Sequence, residues 1–341
     1  MRKRRFNTRD GATLAFSELA FGTAPLGNLY RAISEAAARA TLEAAWAAGC
    51  RYFDTAPLYG LGLAETRLNG FLRGRKRGDY LLSTKVGRLL SPCAPEKRTG
   101  IGKFFATPSR SEVYDYTYDG VMRSVEFSLE RLGADSIDVL FCHDIDVVNH
   151  GSRGKVDALV KIFMGGGYKA LRRLRGEGAV KAIGAGVNEW QVAERLARAG
   201  DFDLFLLAGR YTLLEQEALE TFLPYCEKNH IGIVLGGAFN SGILATGARR
   251  GAFFDYAPAP PDVLRRVGAI ERVCKAHGVR LPEAALRFPL GHPAVVCVLS
   301  GAKAPGEITA NAAMMDVKIP AALWRDLKRA GLMRPDAPTP G

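Results

Sequence analysis

Eight short segments of this 341-residue sequence are predominantly apolar, and amphipathic stretches separate them. The segments cover residues 19–21, 52–54, 80–84, 137–141, 182–186, 204–207, 231–235 and 295–299. Each has the length of a strand, and none shows the regular apolar–polar alternation of a strand with one solvated face. Mostly apolar strands are typical of parallel sheets that are covered on both faces. The pattern therefore predicts an α/β protein built on a parallel sheet.

Helical patterns lie between these segments. Ser34 is suited to cap a helix that runs to Trp46 and ends before Gly49. Other stretches place apolar residues on one helical face and end at a glycine, as at Gly133 and Gly200. Strand and helix alternating eight times predict a closed (β/α)8 TIM barrel. The rival, an open doubly wound sheet, lacks the expected GxGxxG sequence after its first strand.

We interpret residues 1–341 as a single barrel domain with three additions. A β-hairpin is predicted at the start, from residues 5–8 and 12–16 around the turn Asp10-Gly11. Two connections are long, namely residues 87–118 after the third barrel strand and 144–167 after the fourth. Long loops are often functional. A short Pro-rich tail, residues 334–341, ends the sequence.

The composition argues against nucleic-acid and membrane partners. The net charge is +12, from 47 basic and 35 acidic residues, but only residues 2–5 form a basic cluster. A nucleic-acid footprint needs a concentrated patch or motif. No run of about eighteen apolar residues is present, so we expect no transmembrane helix. The six cysteines lie far apart without a CxxC motif, which predicts reduced thiols and a cytoplasmic location.

Four polar residues follow the second, third and fourth barrel strands. These are Asp54, Tyr59, Lys85 and His143. Because the active site of such a barrel lies at the carboxyl ends of its strands, we expect them to meet at one mouth. A tyrosine titrates near ~10, and a neighbouring ammonium would lower that pKa. The group therefore suits proton exchange at an alcohol or carbonyl, with Tyr59 made acidic by Lys85.

The segments that carry these residues resemble the aldo-keto reductase superfamily. The motifs are residues 52–60 followed by Glu65, then 83–85, then 137–144, and the likeness extends from Phe21 to about Met315. The resemblance implies a barrel that binds a nicotinamide dinucleotide without a Rossmann domain. It implies Tyr59 as the acid/base and Lys85 with Asp54 as its tuning pair. It also implies His143 as the group that orients the substrate.

The resemblance further implies a set of cofactor contacts. Asn188 would hold the nicotinamide carboxamide and Tyr211 would stack on its ring, although Ala208 replaces a glutamine that is usual there. Small residues let backbone amides approach phosphate in a loop after the seventh strand. The remaining positions are Asn240, Ser241 and Gly242 in that loop, and Ser300, Gly301, Lys303, Glu307 and Asn311 at the adenosine end. Lys303 favours a 2′-phosphate and Glu307 opposes it, so NAD is weakly preferred over NADP.

Within the superfamily the sequence is most similar to bacterial D-threo-aldose 1-dehydrogenases, also called L-fucose or D-arabinose dehydrogenases. Residues 114–121, 142–146 and 208–214 carry this likeness. Asp144, Asp146 and Arg210 are candidates for hydrogen bonds to sugar hydroxyls, or alternatively order their loops. The expected reaction oxidises the anomeric hydroxyl of an aldose to a lactone. We expect a monomer or weak homodimer that holds no metal.

Several alternatives stay open at this point. Pyridoxal 4-dehydrogenases share the same sequence pattern, and a general aldehyde or ketone reductase of the superfamily would carry the same four catalytic residues. A non-catalytic subunit that binds the cofactor for regulation is a rival of a different class. A phosphate-handling barrel, such as an aldolase or isomerase, would bind no nicotinamide at all. Cofactor titration and a sugar panel separate these possibilities.

Overall fold

The computed structural model describes all 341 residues. Eight of its fourteen strands form a closed barrel. In chain order the strands are β1 (Lys3–Asn7), β2 (Thr13–Ser17), β3 (Leu19–Gly22), β4 (Tyr52–Asp54), β5 (Leu81–Val86), β6 (Arg88–Pro92), β7 (Arg110–Tyr114), β8 (Val139–His143), β9 (Ala182–Val187), β10 (Leu204–Ala208), β11 (Gly232–Gly236), β12 (Phe253–Phe254), β13 (Ala257–Pro258) and β14 (Val295–Gly301).

The barrel strands follow each other around the barrel in the order β3, β4, β5, β8, β9, β10, β11 and β14. Every pairing between them is parallel, and β14 pairs with β3 to close the barrel. Because all eight strands run in one direction, their carboxyl ends form one mouth. The predicted (β/α)8 barrel is confirmed.

Thirteen α-helices accompany the strands. They are α1 (Glu35–Ala47), α2 (Leu63–Leu72), α3 (Tyr118–Leu132), α4 (Val147–His150), α5 (Arg153–Gly165), α6 (Gly167–Gly176), α7 (Trp190–Ala199), α8 (Phe222–Lys228), α9 (Ile243–Thr246), α10 (Pro261–Ala276), α11 (Leu281–Arg287), α12 (Pro305–Met315) and α13 (Ala321–Arg329). The Ser34 hydroxyl accepts a hydrogen bond from the Ala37 amide at the start of α1, as its capping role requires. Gly133 ends α3 with a φ of 55°, a conformation that glycine adopts without strain.

The predicted N-terminal hairpin is present and plugs the lower end of the barrel. β1 and β2 pair antiparallel, with Lys3 opposite Ser17 and Asn7 opposite Thr13. Leu14 and Phe16 of β2 are fully buried and pack into an apolar cluster made mostly by inward-facing residues of the barrel strands. The barrel interior is therefore filled from below, and only its upper end is open to a ligand.

The two long connections carry secondary structure of their own. The segment after β5 folds back as the antiparallel hairpin β6–β7, with Arg88 opposite Tyr114. The segment after β8 contains the helices α4 and α5. Both segments lie beside the mouth, because each begins at the carboxyl end of a barrel strand. Separately, none of the helices has the length and apolar character needed to cross a membrane.

Candidate active site

A buried ion pair lies at the upper ends of β4 and β5. Lys85 Nζ donates a 2.6 Å hydrogen bond to Asp54 Oδ2 and a 2.9 Å bond to the Thr55 carbonyl. The other Asp54 oxygen accepts a 2.7 Å bond from the Ser83 hydroxyl. Both charged side chains are only 1% exposed. Asp54 therefore fixes the direction of the ammonium group as well as balancing its charge.

The Lys85 ammonium lies 4.6 Å from the centre of the Tyr59 ring. Tyr59 is half-buried in the turn between β4 and α2. That turn packs against backbone: a Cβ on Gly60, whose φ is 66°, would come within 2.5 Å of the Gly27 carbonyl oxygen. A Cβ on Gly27 would equally come within 2.5 Å of the Gly60 nitrogen. Two glycines thus hold the turn, and with it Tyr59, tightly against the mouth.

Burial changes the acidity of Lys85 and Tyr59. It lowers the pKa of Lys85, but the charges of Asp54 and Tyr59 raise that pKa by more, so the ammonium form is favoured. Burial also raises the pKa of Tyr59 above its ordinary value of 10.0, and Lys85 offsets only part of this increase. The expected net lowering of the Tyr59 pKa is therefore wrong for the free protein. Desolvation of the phenolate outweighs the attraction of the ammonium.

His143 lies at the end of β8 and faces Tyr59. The two rings stand nearly perpendicular, with their centres 5.8 Å apart. Burial and the positive charges of Arg88, Lys85 and Lys103 hold the pKa of His143 well below its ordinary 6.5, so the imidazole is neutral. Its Nδ1 atom is buried and has no hydrogen-bond partner within the protein. The four residues expected at one mouth are thus brought together there.

The backbone of His143 is held by an aromatic side chain from the loop before α3. The Tyr116 hydroxyl donates a 2.8 Å hydrogen bond to the His143 carbonyl. The same hydroxyl lies 3.1 Å from His150 Nε2 on α4. Tyr116 is almost fully buried. Both long connections therefore help to fix the position of the imidazole.

Beside His143 lies a second buried charge cluster that sequence reasoning missed. Arg88, at the start of β6, contacts Asp144 at 2.5 Å and Glu112 at 2.6 Å. It also donates a 3.0 Å bond to Asn149 Oδ1. Burial raises the pKa of Asp144 to about 6, against the opposing effect of the Arg88 charge. The sequence did hold a sign of this role, because Arg88 is a basic residue that follows closely on a strand ending at the mouth.

Another buried group supports the strand that carries Lys85. Glu65 on α2 is fully buried; it accepts a 2.8 Å bond from the Thr84 hydroxyl and pairs with Arg131 at 2.6 Å. Its Thr84 partner immediately precedes the catalytic lysine candidate. The sequence motif included Glu65 without a role, and the structure gives it this one.

Asp146 and Arg210 do not reach the mouth as free groups. Asp146 is fully buried; it caps α4 through Asn149 and accepts a 2.8 Å bond from the Asn188 amide. Arg210 donates to the Asn188 carbonyl at 2.7 Å and pairs with Asp255 at 2.8 Å. The predicted hydrogen bond from Asp146 to a sugar is therefore wrong, because its carboxylate is enclosed. Arg210 holds two loops together but is 19% exposed, so its hydrogen bond to a sugar stays a prediction. Asp144 differs, since its carboxylate is 15% exposed.

Tyr211 lies away from the mouth. Its side chain is fully buried and packs on Phe288 and His292, with ring centres 5.1 and 5.8 Å away. The hydroxyl has no hydrogen-bond partner within the protein. The predicted stacking of Tyr211 on a nicotinamide ring is therefore wrong, because the chain turns this residue into the outer apolar core.

Asn188 retains one free polar atom. Its Nδ2 donates to Asp144 at 3.2 Å and to Asp146 at 3.1 Å, which leaves Oδ1 without a donor. The residue is half-buried at the end of β9, beside Asp144. An open carbonyl oxygen at this place is suited to accept a hydrogen bond from a carboxamide.

The loop after β11 holds three successive residues in left-handed conformations. Asn240, Ser241 and Gly242 have φ values of 43°, 57° and 101°. Asn240 donates a 3.0 Å bond to the Gly209 carbonyl and is bonded to the Thr212 hydroxyl. The Ser241 hydroxyl accepts a 2.9 Å bond from the Tyr256 amide. The Asn240 side chain thus shapes the loop, whereas a Cβ on Gly242 would meet only open space.

The five residues predicted for the adenosine end lie at the end of β14 and in the segment after it. Ser300 and Asn311 are buried and joined by a 2.8 Å hydrogen bond. A Cβ on Gly301 would meet Pro25 at 2.6 Å, so β14 needs a glycine there. Glu307 accepts a 2.8 Å bond from the Lys303 amide. The Lys303 ammonium lies 5.2 Å from the centre of the Tyr30 ring, and burial and Arg31 lower its pKa.

Fold and site together define a (β/α)8 barrel whose mouth places a tyrosine beside a buried ammonium. Residues 18–331 match the Aldo/keto reductase family, and the chain belongs to this family. The resemblance stated from the sequence motifs is thereby confirmed.

Two curated relatives cover nearly the whole chain. A pyridoxal 4-dehydrogenase from Microbacterium luteolum is 42% identical over 330 residues, which are 94% of this chain and 95% of that protein. A D-threo-aldose 1-dehydrogenase from a Pseudomonas species is 41% identical over 333 residues, 96% of this chain and 97% of that protein. The two identities are nearly equal, so similarity alone does not choose between their substrates.

Solved structures show the same fold at lower identity. The holo form of aldo-keto reductase AKR11C1 from Bacillus halodurans has a TM-score of 0.74 at 24% identity, covering 98% of this chain and 97% of the other. An aldo-keto reductase from Klebsiella pneumoniae in complex with NADPH has a TM-score of 0.67 at 19% identity. That match covers 100% of this chain and 99% of the other.

Proposed function

We propose that this protein oxidises the hydroxyl-bearing carbon of a cyclic hemiacetal to a lactone, with an aldose of the L-fucose or D-arabinose type as substrate and NAD(P) as the hydride acceptor. The observation that carries the proposal is the buried Asp54–Lys85 pair beside Tyr59, faced by a neutral His143. This arrangement places one proton-transfer group and one hydrogen-bonding imidazole around a single substrate oxygen.

A cyclic hemiacetal is the chemical feature that the two relatives' substrates share. An aldose closes through one of its own hydroxyls, and pyridoxal closes through the hydroxymethyl group next to its aldehyde. In both rings the hemiacetal carbon carries a hydrogen, a hydroxyl and the ring oxygen, and loss of hydride from that carbon and of the hydroxyl proton gives a lactone. The 42% and 41% identities support this common chemistry for the present chain. Pyridoxal is therefore the second candidate substrate.

The residues at the mouth fit a nicotinamide dinucleotide. Asn188 Oδ1 has no donor in the protein and would accept from the carboxamide. Ser241 and Gly242 lie in a loop whose backbone is suited to phosphate, and Lys303 would meet the adenosine half. When bound, the oxidised nicotinamide supplies the hydride acceptor. The family relative with NADPH supports this cofactor class.

We propose that NAD is weakly preferred over NADP as the cofactor. Glu307, in the first turn of α12, places a carboxylate next to the Lys303 amide at 2.8 Å. A carboxylate at this end accepts hydrogen bonds from ribose hydroxyls and repels a 2′-phosphate. Lys303 and Arg31 oppose this preference through their charges. Replacing Glu307 by Gln is expected to tighten NADPH binding relative to NADH in a fluorescence titration.

The protein's own groups handle the proton and the orientation. The substrate hydroxyl lies between the Tyr59 hydroxyl and the imidazole of His143. As the C–H bond breaks and its electron pair leaves as hydride, the O–H proton passes to Tyr59 in its phenolate form. Lys85 stabilises that phenolate, and Asp54 keeps Lys85 charged and aimed. Neutral His143 hydrogen-bonds the oxygen without competing for the proton at neutral pH.

A substrate panel with both cofactors tests the proposal. L-fucose, D-arabinose, L-galactose and pyridoxal are offered with NAD and NADP, and reduced cofactor and lactone are measured. Tyr59→Phe is expected to lower kcat by about 10²–10⁴-fold and to leave the Kd for NADH unchanged. Turnover equal to that of the parent in this variant would overturn the assignment of Tyr59. Reduction of simple aldehydes with NADPH, without any hemiacetal oxidation, would overturn the dehydrogenase function.

The setting of the protein is part of the same proposal. All six cysteines are free, and five of them are buried, which suits a reducing compartment such as the cytoplasm. We propose a monomer or weak homodimer whose only small-molecule ligands are the dinucleotide and the hemiacetal. Sedimentation of the purified protein with and without NADH checks the oligomeric state.

A further inference from the structure

Asp144 is held in an unusual conformation next to the reacting groups. Its φ is 49°, in the left-handed region that a residue other than glycine seldom adopts. Its amide donates a 2.8 Å bond to the Gly186 carbonyl of β9, which fixes the backbone there. As a result the carboxylate turns back beside the preceding residue, with Oδ2 3.3 Å from His143 Nε2.

The carboxylate of Asp144 retains capacity for one more donor. Asn188 Nδ2 contacts Oδ1 at 3.2 Å and Arg88 contacts Oδ2 at 2.5 Å. An ionised carboxylate offers about four lone-pair positions, so these two donors do not exhaust it. The side chain is 15% exposed, whereas neighbouring Asp146 is fully enclosed. A ligand hydroxyl at the mouth can therefore reach Asp144.

Arg88 prevents the carboxylate from moving away. The guanidinium is 2% exposed and is fixed on its far side by Glu112 of β7 and by Asn149 of α4. The Tyr114 ring covers it, 4.8 Å from the guanidinium carbon. Hairpin β6–β7 and helix α4 thus both contact Arg88. Arg88 in turn holds the Asp144 carboxylate beside His143. Neither the proton transfer nor the cofactor contacts described above use this pair.

We propose that Asp144 is a specificity-determining residue that accepts a hydrogen bond from the hydroxyl on the carbon next to the reacting carbon, and that Arg88 is its positioning residue. The inference rests on the proposed function, because it assumes that the oxygen between Tyr59 and His143 belongs to a hemiacetal. The distance between Asp144 Oδ2 and His143 Nε2 indicates which substrate hydroxyl Asp144 would contact. With the reacting oxygen hydrogen-bonded to His143, an acceptor only 3.3 Å from His143 Nε2 is within reach of the hydroxyl on the next ring carbon.

Two sugars that differ at one position test the contact. D-arabinose carries a hydroxyl on C2, and 2-deoxy-D-ribose is the same sugar without it. A hydrogen bond to a charged acceptor predicts a kcat/KM about 10- to 100-fold higher for D-arabinose than for 2-deoxy-D-ribose. In Asp144→Asn this ratio is expected to fall to about a tenth of its original value. Asparagine is chosen because it tolerates the left-handed backbone better than most residues.

The comparison of the two sugars and the wider hemiacetal panel test this inference and the proposed function separately. A ratio that is the same in the parent protein and in Asp144→Asn would overturn the role of Asp144, although the dehydrogenase function would stand. Oxidation of neither sugar, and of no other hemiacetal in the panel, would overturn the proposed function itself. A KM for 2-deoxy-D-ribose that is unchanged by Asp144→Asn is the expected sign that the fold and mouth are intact.

Arg88→Lys tests the positioning role with a matched control. Lysine keeps a positive charge but cannot contact Asp144, Glu112 and Asn149 at once. The sugar ratio is expected to fall by about 3- to 10-fold, with the Kd for NADH unchanged. Arg175→Lys is the control, since Arg175 is also buried among carboxylates, including Asp203 at 2.8 Å, but at the opposite end of the barrel. Equal losses for both sugars in Arg88→Lys would mean a merely structural role and overturn the inference.

Discussion

Lys85 Nζ and Asp54 Oδ2 lie 2.6 Å apart in a part of the barrel that solvent does not reach. Both side chains are only 1% exposed, so water solvates neither charge directly. A buried charge that loses its partner is strongly destabilising, whereas removal of both charges together is often tolerated. The pair therefore links catalysis to stability, and the two effects can be separated by experiment.

Lys85→Met is expected to lower the free energy of unfolding by about 3 kcal/mol at pH 8, because it leaves the Asp54 carboxylate buried without a cation. Burial already raises the pKa of Asp54, and loss of Lys85 removes an effect that lowers it. The folded variant then binds a proton that the unfolded chain does not, so the loss shrinks as the pH falls from 8 to 5. Urea unfolding at both pH values measures this.

The double variant Asp54→Asn with Lys85→Met serves as the control for that prediction. It is expected to be more stable than Lys85→Met alone at pH 8, and to oxidise hemiacetals no faster than Lys85→Met does. A double variant less stable than either single variant would contradict a buried ion pair.

Hemiacetal oxidation is expected to accelerate with rising pH. Tyr59 must be deprotonated to accept the substrate proton, and burial raises its pKa above 10.0. The kcat/KM for oxidation should therefore rise by about tenfold per pH unit towards pH 10, without a plateau near pH 7. In Lys85→Met the ascending limb should move to still higher pH. A limb centred near pH 6.5 would point to another group and contradict the role of Tyr59 as the proton acceptor.

Tyr211 and Asn188 are expected to give opposite results in cofactor binding. Tyr211→Phe removes a buried hydroxyl that has no partner, so the free energy of unfolding should stay constant or rise by about 1 kcal/mol. Its Kd for NADH should not change. Asn188→Ala removes the open carbonyl oxygen and should weaken NADH binding by about 5- to 10-fold. Weaker binding in Tyr211→Phe alone would restore Tyr211 to the cofactor site.

His292 is expected to make the fold sensitive to acid. Burial lowers the pKa of His292 to about 4, so in the folded protein it stays neutral where an unfolded histidine is charged. The unfolded chain binds more protons than the folded protein between pH 6.5 and 4. The free energy of unfolding therefore decreases by about 3 kcal/mol as the pH is lowered through that window. Above pH 6.5 the contribution is constant.

His292→Asn keeps an acceptor for the Ala294 amide, which bonds to His292 Nδ1 at 3.1 Å in the parent. The variant should lose less stability than the parent between pH 6.5 and 4. Parallel curves for the two proteins would show that His292 does not titrate in this way.

The barrel and its four mouth residues could be predicted because each depends on local pattern. Apolar runs identify buried strands, and a polar residue at the end of such a run must lie at the mouth of a parallel barrel. Tyr211 could not be placed by the same reasoning. It lies shortly after β10, and only the packing of Phe288 and His292, much later in the chain, places its ring in the core.

The sign of the Tyr59 pKa shift and the role of Arg88 were also beyond the sequence. The first is a balance between desolvation and one nearby charge, and the loss of water around Tyr59 depends on the whole mouth. The second arises where a hairpin and a helix from different connections meet on Arg88. Asp146 shows the same limit, because its four hydrogen bonds come from α4 and from Asn188, which is 42 residues away.

The hairpin formed by β1 and β2 closes the lower end of the barrel and leaves one opening, at the carboxyl ends of the strands. Leu14 and Phe16 fill the lower end, so any ligand of the barrel interior must enter and leave at the top. A ligand bound deeper in this interior can leave only after a ligand bound above it has left. Under the proposed function, the ligand nearer the mouth is released first. A product analogue that binds above the dinucleotide is therefore expected to slow release of the dinucleotide.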